Sequence, residues 1–297
     1  MTALRALMAG SIDYAGLFPP AELDMATAAA NYAAYRTSDA AWALGRLVVP
    51  SARLSELEAA RTQLPLNPDD HPWRLSALLG ADPTRDLRAI EDFICRQTAG
   101  RGGAVVDVVE GKAGTVEAIT ALLDVLPRSL EAYIEVPAEP DPAPLISAIA
   151  DRGARAKIRT GGVTSDAFPS AAHVARFIGA SLRAGVPFKA TAGLHHPIRA
   201  EYPLTYAKDS PRGVMFGFLN VFLAAAFMAG GMAAVSAIRL LEESAPASIT
   251  VSDRYIEWRG HRLDETDIMA ARGRAIVSFG SCSFTEPIGD LAALGLL

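Results

Sequence analysis

Residues 154–197 read ARAKIRTGGVTSDAFPSAAHVARFIGASLRAGVPFKATAGLHHP. Two strand-like patterns, Arg155–Thr160 and Pro187–Thr191, flank a helix-like run over Ala171–Ala184. Side chains in a strand repeat every two residues, so Lys157 and Arg159 share one face and Ala156 and Ile158 the other. In the second pattern Lys189 and Thr191 share a face, opposite Phe188 and Ala190. Short strands separated by a helix belong to a parallel sheet covered on both faces. The apolar face packs under helices. The charged face needs another setting, and the inside of a closed barrel near its open end supplies one.

The same unit repeats on either side. Arg46–Pro50, Arg74–Gly80, Ala104–Glu110 and Glu131–Val136 read as strands, and the helical runs Ala52–Gln63, Thr84–Thr98, Gly114–Leu126 and Pro142–Arg152 follow them in turn. Residues 10–18 (GSIDYAGLF) hold a short first strand, and Pro19-Pro20 open a helix to about Arg36. Ala275–Phe279 is the last strand, leading into Gly280-Ser281-Cys282-Ser283. About eight strands alternating with helices predict parallel βα units, and no GxGxxG follows the first strand. The fold class expected is α/β, a single (β/α)8 TIM-type barrel domain over 1–297. A small β-hairpin decoration is expected near 248–259, and Asp264 caps a short helix to Arg272.

Gly213–Val235 carries no charge. Asn220 near its middle and the Gly230-Gly231 break argue against a membrane span, and Ser210-Pro211 look like a helix start. We expect a buried helix, covering the barrel or joining copies in a homo-oligomer through 213–235, with a second helix near Ala233–Glu243. The net charge of −5 and the lack of a basic run speak against nucleic acid as a partner. Cys95 and Cys282 are too few for a disulfide framework, and the N-terminus shows no signal-peptide pattern, so a cytoplasmic location and no membrane partner are expected.

Applied to each central strand, the two-face reading sends Asp107, Glu135, Lys157, Arg159 and Lys189 into one barrel, near the C-terminal strand ends where barrel active sites lie. Unpaired buried charges cost several kcal/mol each, so these groups must pair or meet a ligand. Two acids and three bases leave a net +1, which suits a small anionic substrate.

VVDVVEG (105–111), KIRTGG (157–162) and FKATAG (188–193) resemble the corresponding strands of deoxyribose-phosphate aldolase, a class I aldolase with a (β/α)8 barrel. The resemblance covers these motifs only, and LHHP after Gly193 departs from it. It implies that Lys157 forms a Schiff base with a carbonyl substrate, that Lys189 stands beside it and favours the neutral amine, and that Asp107 shuttles protons through a water. Glu135 joins them as a catalytic candidate by its position in the charged interior. The family's phosphate grip has counterparts in Gly193 and in the Gly280–Ser283 loop with Ser281.

Arg159-Thr160-Gly161-Gly162 offers an anion grip through guanidinium and backbone N–H groups, and equally a tight βα turn. His195 and His196 follow the seventh strand and are candidates for substrate binding or acid–base work. No HxH or HExxH pattern points to a metal, and no cofactor is expected. Cys282 lacks an evident base in the sequence and reads as a small buried residue, while Asp13-Tyr14 and Phe18-Pro19-Pro20 either line the mouth or plug it. The leading expectation is a Schiff-base lyase acting on a small anionic, phosphorylated or carboxylated carbonyl compound. The alternatives are a hydrolase or isomerase using His195 or His196 with Glu135, metal-assisted or not, and a non-catalytic barrel that binds an anionic metabolite.

Overall fold

The computed structural model describes residues 2–65, 71–97 and 103–297. Seven strands come first: β1 (Ile12–Tyr14), β2 (Leu44–Pro50), β3 (Trp73–Leu78), β4 (Ala104–Lys112), β5 (Glu131–Glu135), β6 (Arg155–Arg159) and β7 (Phe188–Thr191). Two excursions follow. Strands β8 (Ala200–Pro203) and β9 (Arg212–Met215) pair antiparallel, and β10 (Ile249–Val251), β11 (Tyr255–Trp258) and β12 (His261–Asp264) form a three-stranded sheet. The last strand, β13 (Ile276–Ser281), pairs parallel with both β7 and β1 and closes an eight-stranded parallel barrel. The expected (β/α)8 barrel is therefore the observed architecture.

Helices α1 (Ala3–Met8), α2 (Met25–Arg36), α3 (Leu54–Thr62), α4 (Pro83–Gln97), α5 (Val116–Val125) and α6 (Ala143–Ala150) belong to the first half. Helices α7 (Ala171–Ala184), α8 (Phe218–Ala229), α9 (Ala234–Leu241), α10 (Glu265–Arg274) and α11 (Thr285–Ala293) complete the set. Their boundaries follow local chemistry. The Ser170 hydroxyl accepts the His173 N–H at the start of α7, and Gly185 ends that helix at φ +65°. Asp264 and Asp267 form a reciprocal capping box on α10. In α4, Leu87, Ile90 and Phe93 recur at helical spacing and are the buried side. Thr98, the expected end of that helix, lies outside the described residues.

Three expectations are corrected. The second helix starts at Met25 under an Asp24 cap, not at Pro19-Pro20, because the Asp24 carboxylate accepts the Thr27 N–H while the prolines remain in the loop. Ser210-Pro211 do not open the apolar helix. Residues 212–215 extend and pair with β8, so the helix begins at Phe218. The decoration is a three-stranded sheet, since His261–Asp264 returns along β11. The short helices α1 and α11 escape the sequence reading altogether.

Residues 218–227 of α8 are buried within a single chain, packed by α7, α9, α10, β12 and β13. Asn220 is fully buried and earns its place in this apolar helix by three hydrogen bonds. Its Nδ2 donates to the carbonyls of Leu240 and Glu243, and its Oδ1 accepts the Arg199 N–H. Among the described residues no helix is long and apolar enough to cross a membrane.

Candidate active site

Parallel register sets the key level of the barrel. Glu135 pairs with Lys157, Lys157 with Lys189, and Lys189 with Ser278, so these side chains lie in one interior layer. Glu110 enters from β4 and Asp13 from β1. Lys189 Nζ donates to Asp13 Oδ2 and to Glu110 Oε1, each at 2.6 Å. Lys157 Nζ stands 2.8 Å from Glu110 Oε2 and 3.0 Å from Glu135 Oε2. Glu110 thus bridges the two lysines, one through each oxygen. The hydroxyl of Ser76 donates to Glu110 Oε1 at 2.6 Å, and that of Ser278 to Asp13 Oδ2 at 2.8 Å. The remaining Asp13 oxygen accepts the Arg46 N–H at 2.8 Å. That approach requires glycine at position 45, where a Cβ would lie 2.3 Å from Asp13 Oδ1.

These groups are nearly dry: Lys189 is 1% exposed, Glu110 2%, Asp13 1% and Lys157 5%. Burial alone works against each charge, and pairing reverses it. For Glu110 the ammonium groups of Lys157 and Lys189 overcome desolvation and hold the carboxyl well below the usual carboxylate range. Glu135 is also lowered, by Lys157 and Arg159 against burial. Lys189 is raised, because Asp13 and Glu110 outweigh its desolvation. The Tyr133 ring lies beneath, 5.5 Å from Lys189 Nζ.

A cavity of about 280 Å³ opens above this network. Lys157, Lys189, Glu110 and Arg159 supply its charged lining. Val48, Leu78 and the loop Phe18-Pro19-Pro20 supply apolar walls, so that loop lines the mouth. Gly162 and Gly193 line it too, whereas Gly161 packs behind them, its Cα near that of Gly193 under Phe168. Thr160 locks the two loops together by donating to the Ala192 carbonyl at 2.8 Å.

The expected cluster therefore forms around Lys157, Lys189 and Glu135, with Arg159 at the rim 3.4 Å from Glu135. Asp107 is not in it. Its carboxylate takes both Arg46, at 2.7 Å, and Arg74, at 2.7 Å, further toward the N-terminal end of β4. The physical cause is a bulge. Leu75 and Ser76 of β3 pair with Val106 and Val108, which leaves Asp107 unpaired and shifts the strand's parity. Glu110, three residues on, then faces inward where strict alternation would turn it out. The available signal was its place as the acid ending VVDVVE. With Asp13 and Glu110 included and Asp107 removed, three carboxylates meet Lys157, Lys189 and Arg159. The interior charge balances, and the excess of +1 inferred from the sequence disappears.

The remaining candidates divide. His195 lines the cavity, with Nδ1 3.7 Å from Cys282 Sγ and 3.5 Å from Glu286 Oε2. It does not meet Glu135. Burial lowers the His195 pKa, but Cys282 and Glu286 reverse this and push it up to about 9. His196 lies outside the cavity, stacked on Tyr202 at 3.6 Å and 2.6 Å from Asp290 Oδ2. Ser281 is buried, and its hydroxyl accepts the Ser283 N–H. Among the described residues no three His, Cys, Asp or Glu side chains are gathered so as to hold a metal ion. Compared with family models, curated proteins and solved structures, the chain matches none of them.

Proposed function

We propose that the protein is a Schiff-base-forming lyase, cytoplasmic in location, that acts on a small carbonyl compound through Lys157. The observation that carries this reading is the position of Lys157 Nζ, between Glu110 and Glu135 on the lining of the cavity. A lysine is nucleophilic only as the neutral amine. Glu135, 3.0 Å away, can take the ammonium proton. The amine then adds to the carbonyl carbon, and loss of water leaves an iminium. That cation draws the electron pair of the bond between the α and β carbons as it breaks. A carboxylate takes the proton of the β-hydroxyl, and the β-carbon leaves as a carbonyl product. Protonation and hydrolysis of the remaining enamine free Lys157 and release the second product. Lys189 is tied to Asp13 and Glu110 and serves as fixed positive charge, not as the nucleophile. Glu110 takes the place that the aldolase resemblance gives to Asp107.

An anionic group on the substrate has a partner at the cavity rim. Arg159, with 53% of its side chain exposed, still faces open space beside the cavity. The test is borohydride trapping with a panel of aldehydes and keto acids, read by mass spectrometry. One substrate-derived mass should appear on Lys157 and vanish in Lys157→Ala. A wild-type protein that gains no mass across the panel, or a Lys157→Ala variant that gains it equally, removes the reading.

A further inference from the structure

Cys282 follows directly on the last barrel strand, is 5% exposed, and lines the same cavity as Lys157. Two polar side chains from a different part of the chain converge on it. His195 Nδ1 is 3.7 Å from the sulfur and Tyr206 Oη 3.5 Å from it. Glu286 anchors both partners, at 3.5 Å from His195 Nδ1 and 3.2 Å from Tyr206 Oη. The other nitrogen of His195, Nε2, has no hydrogen-bond partner among the described residues. A thiol buried for packing needs none of this. A nucleophilic thiol needs a base within reach, a group that stabilises the base once it is protonated, and access to a substrate. His195 Nδ1, Glu286 beside that same nitrogen, and the cavity supply them. Among the described residues, no hydrogen bond or ion pair joins these four to the lysine–carboxylate network.

We propose that Cys282 is a second nucleophile of this cavity, assisted by His195, Tyr206 and Glu286, which adds reversibly through sulfur to the carbonyl carbon of a small aldehyde. In that step the S–C bond forms and the C=O π pair moves onto oxygen. The oxygen receives the proton that His195 has taken from the thiol, so the product is a neutral hemithioacetal and no other reactant is consumed. Tyr206 is a positioning residue, since it acts on the substrate through the sulfur, whereas His195 carries the proton from the sulfur to the substrate oxygen. The proposal does not depend on imine formation at Lys157.

Cys95 is exposed and serves as a reference thiol in the same molecule. With iodoacetamide at neutral pH, Cys282 should be alkylated about tenfold faster than Cys95, despite its burial. His195→Asn and Tyr206→Phe should slow Cys282 without changing Cys95, and His195→Asn should change the pH profile of Cys282 alkylation while that of Cys95 stays the same. With glycolaldehyde labelled at the carbonyl carbon, a hemithioacetal carbon signal should appear in the NMR spectrum and be absent in Cys282→Ser. An imine carbon gives a separate signal, so failure of the lysine reading would not be mistaken for failure of this one. Cys282 that stays unmodified while Cys95 reacts, or a rate unchanged in His195→Asn, overturns the proposal. A spectrum with hydrate and imine signals alone does the same.

Discussion

At the scale of single residues, Glu110 carries more of the interior than any side chain the motif reading singled out. Each of its oxygens holds a different lysine, and Ser76 completes the shell. Removing one member of a buried ion pair leaves the others uncompensated, at about 3–5 kcal/mol. Glu110→Gln should therefore lose stability of that order, measured as a drop in the urea unfolding midpoint at neutral pH. Asp107→Asn tests the reassignment made here. Its partners Arg46 and Arg74 lie away from the cavity, so borohydride trapping at Lys157 should persist. Loss of trapping in that variant, with the fold intact, would return Asp107 to the role the aldolase resemblance implies.

At the scale of elements, the apolar helix α8 shows how a charge-free segment is tied into one chain. In its first turn Asn220 binds the C-terminal end of α9 and the loop before β8, all through backbone groups. Asn220→Leu would leave the Glu243 carbonyl and the Arg199 N–H without these partners, at about 1–3 kcal/mol apiece, while the Leu240 carbonyl still accepts the Glu243 N–H. We expect a loss of at least about 2 kcal/mol by urea denaturation. The loops after β6 and β7 form a second such joint. Gly193 has φ +71°, and a Cβ there would lie 2.8 Å from Phe168 and 3.0 Å from the Gly161 Cα. Gly193→Ala should open this contact at the cavity mouth and lower trapping at Lys157 more than it lowers stability.

At the scale of the whole molecule, the paired interior sets how stability depends on pH. Glu110 and Glu135 are lowered in the folded state, so their contribution is full above about pH 4.3, the ordinary glutamate value, and is lost as pH falls. Lys189 is raised, so its contribution is full below about pH 10.4 and is lost only as pH rises through its higher folded value. His195 is raised to about 9, so what it adds is present below about pH 6.5 and fades between there and pH 9. Urea midpoints measured across this range should fall on both sides. His195→Asn should flatten the alkaline limb and leave the acid limb, and an unchanged alkaline limb would show that another group sets it.

The barrel was legible in the sequence because alternation and helical spacing are local properties. Lys157 alternating with Ile158, and Lys189 with Ala190, were enough to place both lysines inside a parallel sheet, and repetition of the unit was enough to count the strands. What lies three residues from Asp107 was not legible. A bulge in β4 depends on how β3 and β4 register against each other, and one inserted residue exchanges the faces for everything after it. The same holds for Asp13, which meets Lys189 from a position 176 residues away, and for His195, which meets Cys282 across 87. Where the register is unbroken, local pattern decides which face of a strand a residue occupies. Only barrel closure, which brings β13 beside both β1 and β7, decides which distant charge it faces.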